Sequence, residues 1–254
     1  MNTFILGPCS VESRDLFYSI AESLYPKMKG KNWYLKGSFD KANRTSGSAN
    51  RGPGLEECIE IFDEVKRDFP GIKITTDVHE TWQVNRLVGQ VDMLQIPAFL
   101  CRQTDLIVEA ARSFKCINIK KGQWMSAEAM EYVVDKAKDA NPRCHVIVTE
   151  RGSQFGYDRL IVDFRGVEAM KKFADEVLLD CTHSTQMTGV GNTGGDSYLA
   201  KKYVQAAEIF EYDGVFVETH PEPEKAISDK DSQIELPWVE DWINTKISND
   251  NGVH

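Results

Sequence analysis

The run Cys116-Ile-Asn-Ile-Lys120-Lys121 combines a short apolar strand pattern with a charge placed where burial should forbid it. A lysine at the end of a buried strand loses hydration and needs a partner, so this charge has to face something. Seven more runs of the same kind surround it, at Thr3–Leu6, Trp33–Lys36, Lys73–Thr76, Met93–Ile96, His145–Thr149, Val177–Asp180 and Gly214–Glu218. With Cys116–Ile119 they are rich in Val, Ile, Leu and aromatic residues, the composition of buried parallel strands. Segments with helical spacing lie between them. Leu55–Asp68 repeats apolar residues at Leu55, Ile59, Phe62 and Val65. Ser126 reads as the N-cap of a helix over Ala127–Lys138, and Trp238–Ile247 as the last helix. Eight strand–helix alternations in 254 residues predict an α/β protein built as one closed (β/α)8 barrel. No Pro/Gly/Ser-rich linker interrupts residues 1–254, which predicts one catalytic domain.

Nearly every predicted strand ends in a polar residue. The ends are Cys9, Lys36, Asp77–His79, Gln95, Lys120, Arg151, Asp180–His183 and Glu218–His220. In a parallel barrel such ends meet on one rim, where active sites of this fold are built. Six cations follow strands: Lys36, Lys41, Arg44, Arg102, Lys120 and Arg151. Gathered at one cavity they would bind phosphate or carboxylate, arginine by a fork and lysine as a point charge. The bland alternative, surface cations paired with the excess acids, fits Lys171-Lys172 and Lys201-Lys202 better. The glycine-punctuated stretch from Lys36 to Glu56 has the composition of a binding loop, with Gly52-Pro53-Gly54 as the turn that launches a helix. Cys9, His183, Glu218 and Asp229 sit at or after strand ends and offer a thiol, an imidazole and two carboxylates, donors that suit Zn²⁺, Fe²⁺ or Mn²⁺. Read from spacing alone, the four are dispersed over the chain, and a lone buried Cys or His is more often structural.

Composition narrows the function classes. The formal net charge is −9, which disfavours nucleic acid and anionic membranes as partners while leaving room for a local anion site. The six cysteines are dispersed without CxxC spacing, and no signal peptide is evident, so free thiols and a cytoplasmic location are expected. No apolar run reaches the ~20 residues that span a bilayer. There is no Walker loop, and no organic cofactor is expected.

A set of longer motifs carries a resemblance. Lys41-Ala-Asn-Arg-Thr-Ser, Arg51-Gly-Pro-Gly-Leu-Glu-Glu, Thr76-Asp-Val-His-Glu, Gln95-Ile-Pro-Ala-Phe-Leu-Cys-Arg-Gln-Thr-Asp-Leu, Asn118-Ile-Lys-Lys-Gly-Gln, Arg151-Gly-Ser-Gln-Phe-Gly-Tyr-Asp and Val217-Glu-Thr-His-Pro-Glu-Pro occur in this order. Together they resemble the 3-deoxy-D-manno-octulosonate 8-phosphate synthase family from about Gly7 to Pro237. Ala42-Asn43 stands where the related 3-deoxy-heptulosonate 7-phosphate synthases usually have Pro, which favours the eight-carbon reading. The resemblance implies condensation of phosphoenolpyruvate with arabinose 5-phosphate and water, feeding lipopolysaccharide (Kdo) biosynthesis. It implies that Lys120 and Arg151, helped by Arg102 of a neighbouring subunit, hold the phosphoenolpyruvate phosphate. Lys36, Ser38 and Lys41 would hold its carboxylate, with Gln95, Ala98 and Gln123 completing that site. Asn43, Arg44 and Thr45 would hold the sugar phosphate, and a homotetramer with sites near subunit boundaries follows.

The same resemblance bears on the metal. Metal-dependent members have Cys where the others have Asn in Gly7-Pro-Cys-Ser-Val-Glu-Ser, and the independent members read Cys-Asp-Gly where this chain has Ser228-Asp-Lys-Asp-Ser-Gln. Both cues imply a divalent ion on Cys9, His183, Glu218 and Asp229, with Cys9, His183, Asp229 and Asp77 as catalytic candidates. One stretch departs: Asp196-Ser197 follows the paired glycines where a basic residue is usual, which bears on sugar choice or loop closure. Erythrose 4-phosphate as the sugar, or a non-catalytic anion- or metal-binding barrel, are the competing readings.

Overall fold

The computed structural model describes residues 1–42, 50–187 and 194–250. Eight parallel strands run in sequence order: β1 Thr3–Gly7, β2 Asn32–Lys36, β3 Lys73–Asp77, β4 Met93–Ile96, β5 Cys116–Lys120, β6 His145–Glu150, β7 Glu176–Asp180 and β8 Gly214–His220. β8 pairs back onto β1, with Thr3 opposite Gly214 and Gly7 opposite Glu218, and closes the barrel. A two-residue strand, Ile234–Glu235, extends β8 at the rim. Among the described residues eight α-helices wrap the outside: α1 Arg14–Leu24, α2 Leu55–Asp68, α3 Thr81–Leu87, α4 Thr104–Ser113, α5 Glu131–Ala140, α6 Gly166–Met170, α7 Ser197–Ile209 and α8 Leu236–Asp250. Among the described residues no helix is long and apolar enough to cross a membrane.

The helices form where charge and apolar spacing agree. α2 has Glu56 and Glu57 in its first turn and Lys66 and Arg67 in its last, complementing the helix dipole, and buries Leu55, Ile59, Phe62 and Val65. α5 begins later than Ser126 predicts. Ser126 instead caps the single 3-10 turn Glu128–Met130 by accepting from the Ala129 amide at 3.2 Å, and the helix proper starts at Glu131. α8 is longer than the expected Trp238–Ile247 and sets Trp242 edge-on to Phe4 of β1, 6.0 Å between centroids.

Two glycines permit closure. A Cβ on Gly214 would lie 1.8 Å from the Thr3 carbonyl oxygen, and one on Gly7 would lie 2.1 Å from the Lys36 carbonyl oxygen, so only a bare backbone fits at these seams. The lumen is filled by Ile5, Tyr34, Met93, Cys116, Ile147, Leu178 and Phe216, a separate cluster from the larger core between strands and helices. All six cysteines are buried and free. The surface lysine pairs are engaged as solvated cations: Lys201 with Glu235 at 2.7 Å and Lys171 with Asp213 at 3.5 Å.

Leu178 is fully buried in the lumen, where neighbouring strands cannot collapse into a gap. Leu178→Ala should cost about 2–5 kcal/mol of stability in urea titrations. At the opposite end of the barrel from the polar rim, His145 Nε2 lies 2.9 Å from Glu176 Oε1. The Glu176 hydrogen bond raises the imidazole pKa against the effect of burial; Asp175 adds to the rise and Lys138 opposes it. A raised folded value means that the contribution is complete below the unfolded pKa of about 6.5 and fades as pH rises through the folded one. Between about pH 6 and 8 the urea midpoint should therefore fall more in the wild type than in His145→Gln; parallel profiles would show that the pair adds nothing.

Candidate active site

Strand geometry builds the site directly on the lumen. Side chains two residues apart share a face, so the residues above the apolar layer point the same way. Tyr34 leads to Lys36, Met93 to Gln95, Cys116 to Asn118 and Lys120, Ile147 to Thr149 and Arg151, Leu178 to Asp180, and Phe216 to Glu218. The lumen thus turns from oil to salt within one step along each strand, and all these polar residues are buried.

The cations converge. Lys120 Nζ donates to Asp180 Oδ2 at 2.6 Å and sits 3.1 Å from the centroid of the Phe216 ring, while Lys36 Nζ lies 5.7 Å from the same ring. Lys36 also donates to Glu218 Oε1 at 2.6 Å and to the Cys9 carbonyl. Arg151 donates through Nη2 to Gln186 Oε1 at 2.8 Å; its Nη1 is buried with no hydrogen-bond partner among the described residues. Lys41 donates to Ser38 Oγ at 2.9 Å. Gln95 Oε1 and Gln123 Oε1 are likewise buried without partners among the described residues, and Ala98 is buried in the turn after Pro97. Buried polar atoms without partners call for an explanation, and these three lie at the same mouth as the cations. Arg102 is exposed, and its backbone carbonyl accepts from Lys136 at 3.2 Å. It is not brought into this mouth by its own chain. Asn43, Arg44 and Thr45 lie outside the described residues.

The proposed metal donors also meet. Ligand atoms of Cys9, Glu218 and Asp229 all lie within 4.8 Å of one another, a spacing suited to atoms about 2.0–2.3 Å from a shared ion. Cys9 Sγ donates to Asp229 Oδ2 at 3.1 Å, and Glu218 Oε2 has no hydrogen-bond partner among the described residues. His183 stands beside them, its Nε2 3.5 Å from Glu218 Oε2. Its Nδ1 lies 2.9 Å from Asp180 Oδ2, which orients the ring and leaves Nε2 facing the other donors. Asp180 is fixed in turn by the Thr182 and His183 amides. Asp229 takes a left-handed backbone, φ 48°, which aims its carboxylate back at Cys9.

Electrostatics follow from this crowding. Burial pushes the Cys9 thiol well up, and Glu218 adds to the rise, so a cation is needed to make it a thiolate. Burial also presses on Asp180 and Asp229, but His183 with Lys120 in the first case, and His183 with Lys41 in the second, hold both well below the usual carboxylate range. Asp77, buried but bonded to His79 Nε2 at 3.1 Å and facing Lys41 and Lys36, is also kept ionised. Desolvation lowers the Lys120 pKa to about 8 despite Asp180.

Sequence reading missed several contributors. Gln186 bridges Arg151 to Asp229, donating through Nε2 to Oδ1 at 2.9 Å. Gln233 accepts from the Cys9 amide at 3.2 Å and donates to the Ser228 carbonyl at 2.9 Å, tying the first loop to the last. Asp180 was legible only as a strand end. Asp196 is the N-cap of α7, accepting from the Leu199 amide at 2.9 Å.

Comparison with known proteins agrees with this architecture. The DAHP synthetase I family matches residues 2–248. A 2-dehydro-3-deoxyphosphooctonate aldolase from Wolinella succinogenes is 46% identical over 91% of this chain and 92% of its own. Aldolases of the same name from Helicobacter acinonychis and Campylobacter jejuni strain RM1221 are 47% and 44% identical, covering 89% and 97% of this chain and 87% and 96% of theirs. Since the match runs through every strand and every wall of the mouth, the chain belongs to the DAHP synthetase I family, in the branch formed by the 2-dehydro-3-deoxyphosphooctonate aldolases.

Proposed function

We propose that this chain condenses phosphoenolpyruvate with D-arabinose 5-phosphate and water, releasing 3-deoxy-D-manno-octulosonate 8-phosphate and inorganic phosphate for Kdo biosynthesis, within one catalytic domain over residues 1–254. The observation that carries the reading is the convergence of Lys36, Lys120 and Arg151 on one buried mouth beside the Cys9, Glu218 and Asp229 donors. The shared name of the aldolase relatives supports it. The protein acts as a cytoplasmic homotetramer in this reading. The exposed Phe99–Trp124 stack near Arg102 supports a subunit contact there, with Arg102 serving a neighbour.

Lys120 and the free Nη1 of Arg151 take the phosphate of phosphoenolpyruvate; Lys36, Ser38 and Lys41 take its carboxylate, with Gln95, Ala98 and Gln123 around it. Asn43, Arg44 and Thr45 take the sugar phosphate. Anchoring both ends brings the enol carbon to the aldehyde, an orientation effect worth up to roughly 7–11 kcal/mol. The new bond forms between those carbons, water adds at the adjacent carbon, and phosphate leaves with carbon–oxygen cleavage. The ammonium and guanidinium groups stabilise the charge that collects on the departing phosphate. Cys9, His183, Glu218 and Asp229 hold a divalent ion, which supplies Lewis acidity toward an aldehyde or water oxygen. Asp77 is ionised, is not one of these ligands, and has a buried Oδ1 without a partner among the described residues; we assign it as acceptor of the water proton.

The decisive assay strips the metal, adds back single divalent ions and offers both arabinose 5-phosphate and erythrose 4-phosphate, reading phosphate release. Turnover should require the ion, prefer arabinose 5-phosphate, and be lost in Cys9→Ala. Full activity in chelator refutes the metal role, preference for erythrose 4-phosphate refutes the sugar, and phosphoenolpyruvate binding without any release marks a non-catalytic barrel. Asp77→Asn should lower kcat by about 10²–10⁴ while the phosphoenolpyruvate Kd stays within threefold; a tenfold weaker Kd with little change in kcat would make Asp77 a binding group instead.

A further inference from the structure

We infer that Gln186 is a positioning residue that couples the anion site to the metal site, so that phosphoenolpyruvate and the divalent ion bind cooperatively. The inference rests on the reading of those two sites given above. Gln186 follows the turn His183–Thr185 and is held by its own backbone, which donates to the His183 carbonyl at 3.2 Å and accepts from the Leu160 amide at 3.1 Å. Its side-chain amide is therefore presented from a fixed base. That amide has one acceptor end and one donor end, and both are used. The oxygen accepts from Arg151 Nη2 at 2.8 Å, and the nitrogen donates to Asp229 Oδ1 at 2.9 Å. The two contacts set each other's polarity: an amide flipped to face Arg151 with its nitrogen would point a donor at a cation and an oxygen at a carboxylate.

This bridge leaves the working atoms on both sides available. On Arg151, Nη1 remains buried and unpartnered among the described residues, ready for a phosphate oxygen. On Asp229, Oδ2 stays on the side of Cys9 Sγ and Ser228 Oγ, at 3.1 and 2.9 Å. A phosphate on Nη1 pins the guanidinium plane, the plane pins the amide, and the amide holds the carboxylate in its ligating orientation. An ion on Oδ2 fixes the same chain from the other end. Each ligand thus meets part of the ordering cost of the other, and linkage requires equal effects in both directions. Among the described residues no hydrogen bond joins Arg151 to Asp229 directly, and the Gln186 amide is what bonds to both.

The test uses full-length apo protein with Co²⁺ as the metal probe, read by its thiolate absorption band, and phosphoenolpyruvate as the anion, read by calorimetry. In the wild type each should tighten the other by about fivefold or more. Gln186→Leu, which has similar bulk and no amide, and Gln186→Asn, too short to span, should each bind both ligands with coupling reduced to less than twofold. Metal affinity alone should fall about 10- to 100-fold, as for other groups that orient a ligand. Undiminished coupling in both variants overturns the inference while leaving the assignment of the two sites intact. Failure of the wild type to bind Co²⁺ overturns the metal reading, and the inference with it.

Discussion

Burying a lysine at the mouth of a barrel is tolerable only when its charge is answered, and here each buried cation faces a carboxylate. Lys36 meets Glu218, Lys120 meets Asp180, and Lys41 with Lys36 faces Asp77. Removing one partner from a buried pair leaves a stranded charge and typically costs 3–5 kcal/mol, so the acids are as necessary as the bases. Among the described residues, the four lysine and arginine side chains Lys36, Lys41, Lys120 and Arg151 are matched by the four carboxylates of Asp77, Asp180, Glu218 and Asp229. An anionic substrate therefore enters a site in which these charges balance but Arg151 Nη1 is still without a hydrogen-bond partner among the described residues. A divalent ion on Cys9, Glu218 and Asp229 would add two positive charges, offset by one as the Cys9 thiol loses its proton, and would loosen the hold of Glu218 on Lys36.

How much of this was legible in the sequence depends on the kind of signal. The strands were legible because they are short β-branched runs at regular intervals, and the polar residue at each end marked the rim. Period two explains why the lysine that faces the mouth is Lys120 and not its neighbour. Lys120 shares a face with Cys116 and the lumen, whereas Lys121 points the other way, where it donates to the carbonyls of Met125 and Gly152 and lies 3.3 Å from Glu150. The start of α5 was misplaced because a serine that caps a 3-10 turn looks in sequence like one that caps an α-helix. Gln186 and Gln233 left no signal, since an amide is neutral and common, and its importance lies in which two groups it touches. The residues proposed for the sugar phosphate, Asn43, Arg44 and Thr45, rest on the sequence alone.

The site is stiffened from behind by contacts that do not face the substrates. The fully buried Lys121 ties the loop after β5, which carries Gln123, to the loop after β6, which carries Arg151. Gln233 spans Cys9 and Ser228, and Glu12, itself in a left-handed conformation, accepts from the Ile227 amide at 3.1 Å. The first and last loops of the barrel are therefore cross-braced at two points, beside the closing β1–β8 seam. A ligand set drawn from both ends of the chain needs such bracing, because the donors owe nothing to sequence proximity.

Asp196 shows why a departure in sequence need not be a departure in chemistry. Read as a charge, an acid near a sugar-phosphate loop looks repulsive. In the fold its carboxylate is spent on α7, where it caps the Leu199 amide, and its own amide donates to Thr185 Oγ1 at 3.3 Å. A side-chain oxygen at an N-cap contributes about 0.5–2 kcal/mol and faces the positive end of the helix dipole. The charge is thereby partly neutralised by the backbone and directed along the helix rather than into the mouth. Aspartate at this position serves the start of α7, and that local demand accounts for its presence.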